Sequence, residues 1–296
     1  MIIVITGPTG VGKTKLSISL AKKYNCEIIN GDAIQVYRGL DIGSAKVTRE
    51  EMDGIVHHLF DIKDVWEEYS IYDYQIDCRN KIDEILNRGK NVVIVGGTGL
   101  YIKSALYDYT LSSEDTIKDS YDDISTEELY HRLKELDNDI DIDRFNRRRI
   151  IRALNYYLSF NKSISNNKTG NKLLYDALFI GLTTDRDILY DRINQRVDKM
   201  IDNGLLDEVK YFYDKNMRYK PLINGIGYKE LYSYLDGNIN LDDAIELIKR
   251  NSRRYAKRQY TFFNNQFNIK WFSVNFNNFD ETILSVFNYI DNTNIK

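Results

Sequence analysis

The chain has 296 residues, 43% of them hydrophobic and 29% charged, with a formal net charge of −3. That is the composition of a soluble globular protein long enough for one large or two ordinary domains, and no apolar stretch approaches the length of a membrane span. The acidic balance argues weakly against nucleic-acid binding, but only one face needs to be basic.

The first predicted element is a strand over residues 2–6. Met1 runs straight into it without a basic or long apolar leader, so no signal peptide is expected and the protein is read as cytoplasmic. Gly7-Pro8-Thr9-Gly10-Val11-Gly12-Lys13-Thr14 follows and spells a complete Walker A loop. Its glycines let successive backbone N–H groups turn inward around a phosphate. Lys13 adds a point charge, and the Thr14 hydroxyl suits Mg²⁺. A helix predicted over 13–24 presents its N-terminus to the same anion. This order of strand, loop and helix predicts binding of a di- or triphosphate.

A second strand, 27–30, leads into Asn30-Gly31-Asp32-Ala33-Ile34-Gln35. This loop lies at the C-terminal edge of the sheet, where Asp32 is placed to take a proton from a nucleophile and Gln35 offers an amide to a base edge. A turn residue or an indirect Mg²⁺ partner are equally ordinary roles for such an Asp. After a helix at 71–88, the strand 92–95 ends in Gly96-Gly97-Thr98-Gly99 with no acid, where NTPases place an Asp to hold Mg²⁺. Thr98 offers a hydroxyl, which can also cap the helix predicted at 98–107. The two cysteines, Cys26 and Cys78, show no CxxC spacing and form no metal-ligand pattern with the three histidines, which suits a reducing compartment.

Residues 111–124 are acidic and polar and break the strand–helix alternation. Helices follow at 126–136 and 145–159, the second opening on Arg147-Arg148-Arg149 with Arg152, and then a polar loop at 163–172. A strand at 177–182 resumes the sheet, followed by helices at 186–203, 204–215, 227–235 and 241–263 and a strand–helix pair over 269–290. Arg192 and Arg196 share a helix face at i, i+4, as an anion clamp or as partners of Asp191, Asp198 or other nearby acids. On the 241–263 helix, Lys249, Arg253 and Lys257 form one cationic row and Arg250, Arg254 and Arg258 the next. Two adjacent rows repel one another unless a polyanion such as a phosphodiester backbone neutralises them. The fold expected is α/β, a P-loop parallel sheet flanked by helices, with residues 1–111 and 173–296 as the core and 112–172 as a small all-helical insertion.

Taken together these motifs resemble the tRNA dimethylallyltransferase (tRNA isopentenyltransferase) family over nearly the whole chain. The match includes the Walker A loop, Asp32–Tyr37, Leu40–Lys46, His57–Asp61, Gly96–Tyr101, Arg148–Leu154, Arg196–Met200, Gly225–Glu230 and Tyr255–Gln259. The resemblance implies transfer of a dimethylallyl group from dimethylallyl diphosphate to N6 of adenosine 37 in the anticodon stem-loop of a tRNA, with Mg²⁺. It implies that Asp32 is the general base, that Thr98 and Arg196 stabilise the diphosphate leaving group, and that Gly7 to Thr14 hold it. It further implies tRNA contacts from Asp32, Ala33, Ile34, Gln35, Arg148, Arg149, Ile150, Ile151, Arg152, Gly227, Tyr228, Lys229, Arg254, Lys257 and Arg258, with the insertion gripping the tRNA and the chain working as a monomer. This sequence departs from the family's pattern at Phe262 and Asn264, at Asn155, and at Asn224 and Gly225. A small-molecule P-loop kinase and a non-catalytic P-loop RNA-binding protein are the competing readings.

Overall fold

The apolar runs become the sheet. A computed structural model of the chain describes residues 1–109, 121–166 and 170–293. In it Ile2–Thr6 (β1), Cys26–Asn30 (β2), Asn91–Val95 (β4) and Ala177–Thr183 (β5) are strands rich in β-branched residues, with β1 and β2 buried at every position. Largely apolar strands of this kind belong to a parallel sheet covered on both faces. Two short edge strands, His57–His58 (β3) and Lys270–Ser273 (β6), complete the order β3-β2-β4-β1-β5-β6, and every pairing is parallel.

That order places the carboxyl ends of β1, β2 and β4 side by side, where α/β sheets bind ligands. Helix α1 (Lys13–Tyr24) covers one face, and Leu16 and Leu20 join Ile3, Ile5, Ile28 and Ile180 in the core. On α3 (Ile71–Asn87), opened by a Ser70–Asp73 capping box, Tyr74 stacks on Tyr101 of α4 (Gly99–Leu106) with ring centroids 4.3 Å apart. The Tyr74 hydroxyl donates to Asn30 O at 2.9 Å, so this aromatic pair also braces the end of β2.

The chain forms two compact units, Met1–Leu106 with Tyr175–Lys296, and Tyr107–Leu174. The smaller one is wider at both ends than the 112–172 expected. Its helices α5 (Thr126–Leu136) and α6 (Arg147–Phe160) bury Leu129, Leu133, Ile150, Ala153 and Leu154 between them. Its base is closed by an antiparallel bridge between Tyr107 and Leu173 and by the Asp108 carboxylate, which accepts from Gly170 N at 2.8 Å and Lys172 N at 2.9 Å. Asn155, one of the departures from the family pattern, is buried and accepts from the Tyr121 hydroxyl at 2.8 Å. Residue 110, residues 111–120 of the acidic stretch and residues 167–169 of the polar loop lie outside the described residues.

The remaining helices are α2 (Arg49–Met52), α7 (Arg186–Asp202), α8 (Leu205–Asp214), α9 (Lys220–Asn224), α10 (Tyr228–Leu235), α11 (Leu241–Gln266) and α12 (Phe279–Asn292). The short elements α2, β3 and α9 have no counterpart in the sequence reading. A two-residue strand and one-turn helices carry too few residues to show a period.

Candidate active site

Three loops converge at the sheet edge. The Walker loop leaves β1 and enters α1 at Gly12, whose φ of 92° is left-handed. A Cβ at Gly12 would lie 2.5 Å from the Phe279 ring, so both conformation and space require glycine here. Lys13 Nζ donates to the loop's own carbonyls, Gly7 O at 2.9 Å and Pro8 O at 2.8 Å. Val11 is fully buried, which leaves only its backbone to face the cleft. Arg192 Nε donates to Gly10 O at 3.0 Å while its guanidinium lies 3.8 Å from the Phe276 ring centroid.

The loop after β2 is held by an amide ladder. Asp32 N donates to Asn30 Oδ1 and Asn30 Nδ2 donates to Asp32 O, both at 2.9 Å, while Asp32 Oδ1 accepts from Ile34 N at 3.0 Å. These bonds aim the second carboxylate oxygen at the loop after β4. There Thr98 N donates to Gly31 O and the Thr98 hydroxyl oxygen accepts from Ala33 N, each at 3.0 Å. Thr98 opens its helix through its carbonyl, which accepts from Tyr101 N at 3.0 Å and Ile102 N at 3.3 Å, while its hydroxyl meets the Asp32 loop.

Arg196 projects from α7 into the same cleft and has no carboxylate within ion-pair distance among the described residues. Asp198 is taken by Lys249 at 2.8 Å, so the acid pairing considered for Arg196 is not formed. The electrostatics are those of a partly desolvated triad. Burial and the Arg196 charge push the Lys13 ammonium down to about 7, opposed by Asp32. Burial raises the Asp32 carboxyl above its ordinary value, against the Ile34 N–H and the charges of Lys13 and Arg196. Burial also lowers the Arg196 guanidinium, with Asp32 opposing.

A cleft of about 1090 Å³ contains Thr9, Lys13, Thr14, Asp32, Gln35, Thr98, Arg196, Gly227, Lys229 and Arg258 in its lining. Several predicted contacts are placed differently from the expectation. Gln35 Nε2 donates to Ser44 O at 3.0 Å and Ala45 O at 3.3 Å, holding the cleft wall, so this nitrogen is not free for a base edge. Tyr228 is fully buried, with its hydroxyl bonded to Glu208 at 2.5 Å, and Ile150 is likewise in the core of the small unit. Both side chains are packed inside the protein. Of the two cationic rows on α11, one is engaged in part by protein: Lys249 is neutralised by Asp198 and Glu246, and Arg253 donates to the amide oxygen of Asn194 on α7. Arg254, Lys257 and Arg258 remain exposed, as do Arg148, Arg149 and Arg152, whereas Arg147 donates inward to Ile124 O at 2.7 Å.

The sequence reading missed Glu208 on α8. Its carboxylate accepts from the backbone N–H groups of Asp41, Ile42 and Gly43 at 3.0, 2.7 and 3.1 Å and so shapes the cleft wall. Nothing in its surroundings in sequence marks it, because its partners lie in a distant loop.

The sequence profile described as IPP transferase matches residues 35–266. The tRNA dimethylallyltransferase of Bacillus subtilis is 50% identical over 284 residues, covering 92% of this chain and 90% of that protein. The crystal structure of the full-length tRNA isopentenylpyrophosphate transferase from Bacillus halodurans superposes with a TM-score of 0.76 at 44% identity, covering 98% and 95% of the two chains. A eukaryotic dimethylallyltransferase, captured crystallographically acting on tRNA, reaches a TM-score of 0.83 at 31% identity over all of this chain and 80% of the other. A fold that superposes on theirs, a Walker loop facing Asp32 and Thr98, and similarity along nearly the whole length converge on one conclusion: the chain belongs to the IPP transferase family, the tRNA dimethylallyltransferases.

Proposed function

We infer that this protein transfers the dimethylallyl group of dimethylallyl diphosphate to N6 of adenosine 37 in tRNA, releasing diphosphate and giving N6-dimethylallyladenosine. The observation that carries this reading is the convergence of Asp32, Thr98, Lys13 and Arg196 on one cleft. Departure of diphosphate from an allylic carbon requires positive charge held where the leaving oxygen gains its charge, and Lys13 and Arg196 supply it in a partly water-excluded site. The Thr98 hydroxyl adds a neutral donor on the same side. Asp32 takes the proton that N6 sheds as its nitrogen bonds to the allylic carbon. The exocyclic amine of adenine is a poor nucleophile, so that proton transfer matters. The target base must leave its stack to enter a cleft of this kind.

No group of three or more His, Cys, Asp or Glu side chains with metal-site geometry exists among the described residues. That donor set fits Mg²⁺ only as a companion of the diphosphate, held by the exposed Thr14 hydroxyl, phosphate oxygens and water. When bound, the ion would neutralise phosphate charge. In this reading the exposed cations on α11 contact the tRNA backbone, and the small unit, taken by itself, grips tRNA through the exposed cations of α6. The working unit we propose is a monomer.

The direct test incubates the protein with Mg²⁺, dimethylallyl diphosphate and unmodified tRNA carrying A36-A37-A38, then digests the RNA for nucleoside mass spectrometry. A dimethylallyl gain on adenosine is expected, and its absence with verified substrates would reject the assignment. Two further results are expected. Arg254→Ala weakens tRNA binding and makes the slope of log affinity against log salt shallower by about 1, read by filter binding; an unchanged slope would make that helix face a merely solvated one.

Donor affinity is also expected to depend on pH. An anion beside Lys13 favours the charged ammonium, so the bound pKa lies above the free value of about 7. The full affinity is therefore present below about 7 and is lost as pH rises through the bound pKa. Calorimetry at pH 8 in buffers of different ionisation enthalpy should register proton uptake on donor binding, and a buffer-independent heat would exclude it.

A further inference from the structure

Helix α11 carries the exposed cations on one side and sends two polar side chains inward on another. Gln259 is 5% exposed. Its Oε1 accepts from Thr9 N of the Walker loop at 3.2 Å, and its Nε2 donates to Gly97 O at 3.0 Å. One turn earlier, the Tyr255 hydroxyl approaches the same carbonyl at 3.4 Å. A Cβ at Gly97 would lie 2.1 Å from Gln259 Nε2, so the amide occupies the volume that a side chain would need.

A primary amide donates from one end and accepts at the other, which neither a carboxylate nor an apolar group of that size can do. Here the two ends meet backbone groups from two different strand-end loops. One loop holds the phosphate-binding residues. The other positions Thr98, whose hydroxyl in turn meets the Asp32 loop at Ala33 N.

We propose that Gln259 is a positioning residue that fixes the Walker loop against the Thr98 loop, so that the leaving-group side and the base side of the site keep one alignment. This rests on the transfer reaction given above. Displacement at carbon needs the incoming nitrogen and outgoing oxygen aligned, and a shift of about 1 Å can cost about 10²-fold in rate. Gln259 touches neither reacting atom. It acts through Thr9 on one side and Gly97 on the other.

The test compares Gln259→Met, Gln259→Glu and Gly97→Ala with the wild type in kcat, donor KM, tRNA dissociation constant and Tm. Gln259→Met keeps the length and removes both bonds, so kcat should fall about 10²-fold while tRNA affinity stays within about twofold, because the exposed cations remain. Gln259→Glu keeps an acceptor for Thr9 N and loses the donor to Gly97 O. Its donor KM should therefore move less than that of Gln259→Met while its kcat stays low. Gly97→Ala displaces the unaltered amide and should reproduce the Gln259→Met defect, with the double variant no worse than either single one.

Wild-type turnover in Gln259→Met would overturn the proposal, as would multiplying defects in the double variant or a kcat loss matched by equal losses in tRNA affinity and Tm. Should Gln259→Met fail to fold, Gly97→Ala and Gln259→Glu still decide the question. A wild type that makes no modified nucleoside would reject the functional reading itself, whereas active wild type with unperturbed variants would reject only the role of Gln259.

Discussion

Asp32→Asn is expected to lower kcat by about 10²–10⁴-fold while tRNA affinity changes by less than about twofold. Asparagine keeps the size of the side chain and an oxygen that can accept from Ile34 N, and the Asn30 bonds to the Asp32 backbone do not depend on the side chain. What disappears is the proton acceptor. Burial holds the Asp32 carboxyl above its ordinary value of 3.8. The wild-type rate should therefore fall away on the acid side above the pH expected of an exposed aspartate, and Asp32→Asn should lose that limb of the profile. Single-turnover measurements on saturating tRNA would check both points. Turnover near the wild-type level would remove Asp32 from the base role and leave it as the brace of its own loop.

Arg196→Ala should cost about 10²–10³-fold in kcat, the loss typical of one preorganised donor at a developing oxyanion. Arg196 is placed to serve in this way because no carboxylate among the described residues lies within ion-pair distance of it. Arg196→Lys should recover only part of the rate, since an ammonium lacks the planar fork that matches two phosphate oxygens. The same substitution carries an internal control. Arg196 lowers the pKa of both Lys13 and Asp32, so in Arg196→Ala both should titrate higher. The pH at which donor affinity weakens would move up, and the acid limb of the rate profile with it. A rate loss without these shifts would mean that Arg196 lies farther from Lys13 and Asp32 than the cleft implies.

The sequence shows those parts of the molecule that local pattern determines. The Walker loop is contiguous, so its glycines, Lys13 and Thr14 are all visible in one window, and the apolar runs reveal β1, β2, β4 and β5 because strands buried on both faces need no alternation. Asp32 and Thr98 are legible by position, since both follow strands whose C-terminal ends must share one edge of a parallel sheet. What stays hidden depends on the other end of a bond. Gln35 looks like a base reader until Ser44 and Ala45 claim its amide nitrogen, and Tyr228 looks like a contact residue until Glu208 claims its hydroxyl. The two cationic rows of α11 are alike in sequence, and only the packing of α7 beside one of them shows that Lys249 and Arg253 are engaged by protein, whereas Arg254, Lys257 and Arg258 remain exposed. The role of the amide of Gln259 depends equally on two loops, neither of which lies near it in the chain.

The bridge between Tyr107 and Leu173, with the Asp108 carboxylate across it, bears on how the molecule assembles. Strand β5 must pair with β1 only after the whole intervening chain has been synthesised. A long unstructured excursion between them would delay that pairing, because loop-closure entropy has to be overcome before the ladder forms. The helical unit consists of contacts near in sequence and brings its own two ends together. Once it has formed, the growing sheet encounters a short connection in place of a long one, and the nucleation of β5 becomes a local event. Kinetically, the unit then works as a clip that shortens the search, and cutting the bridge should slow refolding more than it lowers the final stability.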